Sequence, residues 1–281
     1  MRVGVGLPTT VPGADGALVI EWARRADAGP FGSLGVLDRL VYDSYEPLTA
    51  LAAAAAVTQR VRLATTIVIS PLHNTAQLAR VAASVDALSG GRLALGLAVG
   101  ARADDYEAAG VDYHSRGRRF AEQLESLRDL WEGGTLGPRA ARGRGPDLLI
   151  GGLSDAGFAR VARYADGYVH GGGPPKAFSR AADKVRAAWS DGGRPGQPQL
   201  WAQGYFAFGD EAAEAGARYL RDYYAFTGAF AEKIAAGLLT TPQSVAGFVR
   251  GYAEAGCDHL VLFPTVADMD QLDQLAALDL F

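Results

Sequence analysis

Apolar residues fall along this chain in two alternating patterns. Short unbroken runs end at glycine, proline or a charged residue. Longer stretches carry an apolar residue every three or four positions. The first pattern fits a strand buried on both faces, the second an amphipathic helix. Strands are predicted over residues 3–7, 34–37, 61–69, 93–99, 148–150, 167–169, 200–208 and 259–263. Helices are predicted over about 17–28, 47–59, 116–131, 178–189, 211–224, 245–255 and 269–278. Two more start at the caps Asn74 and Ser154 and end near Ser89 and Tyr164. Local signals agree: Asp15-Gly16 precedes the first helix, Gly29-Pro30 stops it, and Pro47 suits a first helical turn. Residues 101–107 read as a polar loop. Residues 134–146, rich in Gly, Pro and Arg, read as another, and 226–241 reads as an insertion before the last strand.

Eight strand-like segments, each followed by helix, predict one α/β domain over residues 1–281, a (β/α)8 barrel of the TIM type. A doubly wound sheet would carry a Gly-rich turn after the first strand, where this chain has Leu7-Pro8-Thr9-Thr10.

Composition narrows the classes. At 281 residues, 49% hydrophobic and 21% charged, the chain can build a large core. The net charge of −4 is interspersed, with no basic run, which argues against nucleic acid as partner. The single cysteine, Cys257, excludes an internal disulfide, and the four histidines have no metal-ligand spacing. No apolar run is long enough to cross a membrane, and the first residues read as a strand, so a cytoplasmic protein without a membrane partner is expected.

In a barrel, ligands bind at the C-terminal ends of the strands. Asp38 and Arg39 follow the second strand as a polar pair facing the mouth, or as a turn cap and an exposed cation. Thr65, Thr66 and Ile67 lie in the C-terminal half of the third, where backbone partners are the simpler account of two hydroxyls. Gly100 and Arg102 follow the fourth; a glycine there lets backbone approach a ligand closely. The adjacent Asp104-Asp105 pair reads as solvated. His114 and Arg116 surround a helix start that can hold an anion, whereas Arg118 and Arg119 read as a solvated face. Gly151-Gly152, before a Ser-capped helix, is the best phosphate cradle. His170, Gly171, Gly172 and Gly173 form a second flexible strand-end loop.

Several stretches resemble the luciferase-like flavin-dependent oxidoreductases. They are Pro47-Leu48-Thr49-Ala50-Leu51-Ala52-Ala53, Gln59-Arg60-Val61-Arg62-Leu63-Ala64-Thr65-Thr66, Asp86-Ala87-Leu88-Ser89-Gly90-Gly91-Arg92-Leu93, Leu149-Ile150-Gly151-Gly152, Ala165-Asp166-Gly167-Tyr168 and Gly256-Cys257-Asp258-His259-Leu260. The resemblance spans nearly the whole chain. It implies a barrel that binds reduced FMN or coenzyme F420 at the strand ends, over a bulge whose non-prolyl cis peptide would be Thr66–Ile67. It also implies a flavin phosphate or F420 tail near Gly151, Gly152 and the loop 170–173, with His114 close to the phosphate. Relatives that use F420 share Asp38 but carry histidine where Arg39 stands and often glutamate where Ala101 stands. Arg39 cannot act as a base, but it can stabilise negative charge on a reduced flavin. The expected activity is therefore a monooxygenase that takes reduced FMN from a separate reductase and acts on a small organic molecule. F420-dependent hydride transfer is the alternative, and flavin binding without turnover a third reading. The family also implies a homodimer, packed through small residues such as Ala52 to Ala56. The insertion 226–241 reads as a mobile lid.

Overall fold

The computed structural model describes every residue except Thr135, residues 140–142 and Phe281, so part of the loop expected over 134–146 lies outside the described residues. The strands are β1 (Arg2–Gly6), β2 (Ser33–Val36), β3 (Arg62–Thr65), β4 (Val68–Ile69), β5 (Leu93–Ala98), β6 (Asp147–Gly151), β7 (Gly167–His170), β8 (Gln199–Phe206) and β9 (His259–Pro264). The helices are α1 (Gly16–Ala28), α2 (Pro47–Val57), α3 (Thr75–Leu88), α4 (Ala103–Ala108), α5 (Arg116–Glu132), α6 (Asp155–Tyr164), α7 (Pro175–Asp191), α8 (Asp210–Tyr223), α9 (Phe230–Ala236), α10 (Pro242–Glu254) and α11 (Met269–Ala276). Every strand pairing is parallel. The order β3-β2-β1-β9-β8-β7-β6-β5-β4 closes through a β3–β5 pairing, giving the (β/α)8 barrel.

β3 and β4 are two pieces of the strand expected over 61–69. The break is visible in the register: Leu63 and Ala64 face Leu93 and Ala94, whereas Val68 and Ile69 face Leu97 and Ala98. One extra residue on the β3–β4 side is a bulge. Thr65 spans the gap, its hydroxyl donating to the Gly96 carbonyl at 2.7 Å and accepting from the Gly96 amide at 2.8 Å. The Thr66–Ile67 peptide is cis.

The barrel interior is packed large against small. Trp201, Tyr205, Val261 and Phe263 fill it from β8 and β9. On the neighbouring strands β1 and β2 a Cβ on Gly6 would lie 2.1 Å from the Phe263 ring, and one on Gly35 would lie 2.6 Å from Val261. The outward strand residues, among them Val3, Val5, Leu34, Leu63, Leu95 and Leu148, pack on the helices. Helix starts follow local chemistry: Asp15, Asn74 and Ser154 each accept from an amide of the first turn, and Glu46 caps α2 ahead of Pro47. Each such cap contributes about 1 kcal/mol. No described helix is long and apolar enough to cross a membrane.

Candidate active site

The C-terminal ends of the strands form a floor. Ile67 reaches the interior, and a Cβ on Gly151 would sit 3.3 Å from its Cγ2, with Ala98 and Val169 also in contact. Gly100 borders the floor at φ +65°, and a Cβ there would strike Ile69 at 2.7 Å. Beyond the floor the backbone opens: at Gly171 and Gly173 an added Cβ would meet nothing within 4 Å. Backbone amides on such bare loops can reach an anion. The Ser154 cap leads α6 away from Gly152, so the two glycine loops suit a phosphate-bearing cofactor lying on the floor.

Asp38 is fixed beside the floor by the Ile69 amide, which donates to its Oδ2 at 2.8 Å. Burial pushes its carboxyl up to about 6, opposed by that amide and reinforced by Glu46 and Asp105. His73, which sequence reasoning passed over, also feels Glu46, while burial lowers its imidazole. Its signal was faint because it follows a 3-10 turn, Ser70–Leu72, placed only by the bulge.

Arg39 is not free at the mouth. It pairs with Asp104 at 2.9 Å, lies 3.9 Å from Asp105, and stacks near Tyr42 and Tyr223. The expected polar loop 101–107 is largely α4, and Asp105 is fully buried because its Oδ1 accepts from the Val41 amide at 2.7 Å. The solvated reading of that acidic pair therefore holds for Asp104 alone, which is half exposed.

Arg102 is buried, donating to the Tyr223 carbonyl at 2.6 Å and lying 4.3 Å from the Phe226 ring centroid. It clasps the end of α8. Tyr219 bonds Thr10 at 2.6 Å, and Tyr42 donates to Asp222 at 2.8 Å. The last turns of α8 are thus tied across the mouth to the segments that follow β1, β2 and β5.

The remaining candidates separate. Thr65 is consumed by the β5 backbone, and Thr66 Oγ1 lies 3.5 Å from the Val36 carbonyl. His114 is exposed at the edge of Tyr113. Arg119 is not solvated as expected, because it donates to the carbonyls of Pro71 and His73. His170 is the last residue of β7, not part of a flexible loop, and it points outward: its Nδ1 meets Tyr168 and its ring packs on Phe178. Burial pushes that imidazole down to about 4. His170 braces the cradle from behind, since Tyr168 also donates to the Gly152 carbonyl at 3.0 Å. Gln203 and Tyr252 donate to the carbonyls of Gly171 and Gly173.

A family profile described as luciferase-like monooxygenase matches residues 1–259. An uncharacterised protein of Mycobacterium tuberculosis (strain ATCC 25618 / H37Rv) is 30% identical over 214 residues, which cover 64% of this chain and 74% of that one. Pyrimidine monooxygenase RutA of Escherichia coli (strain SMS-3-5 / SECEC) is 34% identical over 172 residues, 53% of this chain and 46% of RutA. Among solved structures, an F420-dependent secondary alcohol dehydrogenase in complex with an F420-acetone adduct superposes with a TM-score of 0.79 at 16% identity. That match covers 99% of this chain and 97% of that one, and it is a likeness of fold.

Proposed function

This chain belongs to the luciferase-like monooxygenase family, and from that premise we propose that it oxygenates a small organic substrate with reduced FMN supplied by a separate reductase. What carries the reading is Arg39. Hydride transfer with F420 needs a group that exchanges a proton with the substrate, and relatives that use F420 place a histidine there. Here a guanidinium fills the position, tied to Asp104 and unable to accept a proton.

The rest of the site suits a bound flavin. Ile67 and Gly151 make an apolar floor, Gly100 lets the chain turn close beside it, and the open loops at Gly152 and Gly171–Gly173 would hold the phosphate. Reduced flavin supplies the electrons and activates oxygen; the protein positions it and keeps water away. The tyrosines on α8 close the mouth over the floor, and Arg39 lends positive charge at its edge. Asp38, ionising near pH 6, holds the Ile69 amide and can exchange a proton beside the floor.

That last feature favours a second reading, F420-dependent oxidoreduction with Asp38 as the proton-exchanging group. Anaerobic titration with reduced FMN and with F420 separates the two. Binding of reduced FMN, followed by oxygen-dependent turnover, is expected. Tight F420 binding without FMN affinity overturns the oxygenase reading, and binding of neither overturns both.

A further inference from the structure

Beside the floor, between the rim of the barrel and α9, lies a cavity of about 510 Å³, the size of a small-molecule site. We infer that it takes an apolar organic acid, with the body of the acid against aromatic rings and its carboxylate on Lys233. The rings are Tyr205, Tyr224, Phe230 and Phe248, joined by Ile234. Gly204 on β8 and Gly237 after α9 leave the room between them, and the loop Gly171–Gly173 forms a wall that the cavity shares with the cradle. Among the described residues, Lys233 is the one charged residue in the lining.

Three observations point to an acid. Among the described residues, no carboxylate pairs with Lys233; its neighbour Glu232 is turned to Arg221 at 3.0 Å. Phe230, although it lines the cavity, is 56% exposed, an apolar ring left to water that a ligand would cover. The hydroxyls of Tyr205 and Tyr224 bond each other, which leaves one hydrogen of the pair to donate to an acceptor in the cavity. Burial pushes both phenols up, so the pair keeps that hydrogen. One cation among four rings matches a single negative charge on an apolar body better than a phosphate tail, which carries more charge. As a substrate site the cavity rests on the reading that a flavin lies on the adjacent floor; as a binding site it does not.

Calorimetric titration of the full chain with 2-naphthoate and with uncharged 2-naphthamide tests the assignment, in wild type, Lys233→Gln and Lys233→Arg. Lys233 is exposed on α9, so neither variant disturbs the core. The acid is expected to bind wild type about tenfold more tightly than the amide. Lys233→Gln should abolish that preference and Lys233→Arg should keep it. Equal affinities in wild type, a preference that survives in Lys233→Gln, or no binding of either compound overturns the proposal. So does a tenfold loss of FMN or F420 affinity in Lys233→Gln with naphthoate unaffected, because the lysine would then serve the cofactor. Binding of naphthoate as expected by a chain that holds neither cofactor overturns the flavin reading and leaves this site standing.

Discussion

Asp38 keeps its proton to about pH 6 because the half-buried carboxyl has lost water and faces the carboxylates of Glu46 and Asp105. An unfolded chain releases the same proton near 3.8. The native state therefore holds the extra proton between those values, and stability is lost as pH rises through about 6. The loss is about 2–3 kcal/mol. Asp38→Asn keeps an oxygen for the Ile69 amide but has no charge to develop. The buried histidines shift both proteins alike, so the melting temperature of wild type is expected to fall relative to that of Asp38→Asn as pH rises from 4 to 7; parallel profiles would show that Asp38 ionises normally.

At the scale of elements, the end of α8 is tied over the mouth in part by the buried Arg102. Arg102→Met keeps the bulk but strands the Tyr223 carbonyl, a cost of about 1–3 kcal/mol. Hydrogen exchange across residues 220–239 should accelerate while β8 stays protected, and unchanged exchange there would show that the clasp does not restrain the segment. The caps at Asn74 and Ser154 were legible in the sequence because capping is decided within four residues. So were the two glycine loops, because a strand end followed by glycine is a local signal. The break at 65–67 was not legible from periodicity, since the registers against β5 define it; only family resemblance located it. Asp105 looked solvated because its partner, the Val41 amide, lies 64 residues away in sequence. His170 looked like part of a loop because its outward side is set by the parity of β7, where Val169 takes the interior.

Seen whole, the barrel has a binding end and a supporting end. At the strand N-termini, Asp147 pairs with Arg62 and Arg144, Asp166 pairs with Arg128 and Arg144, and the His259 ring stacks on Trp201 at 3.9 Å. Asp147→Ala removes a carboxylate that accepts from both Arg62 and Arg144 and should cost about 1–3 kcal/mol. Because Asp147 opens β6 while Gly151 closes it, flavin affinity should be unchanged in the variant at temperatures where it stays folded. A weakened cofactor Kd alongside the lower melting temperature would mean that the two ends are coupled. The one-residue bulge between β3 and β4 acts on the barrel like a shift of reading frame. Before it, the even-numbered Ala64 faces the interior; after it, the odd-numbered Ile67 does. Had the strand run on unbroken, position 66 would have taken the inner side, and a hydroxyl would lie where the floor presents the Ile67 side chain. A single extra residue thus decides whether the floor is wettable or greasy.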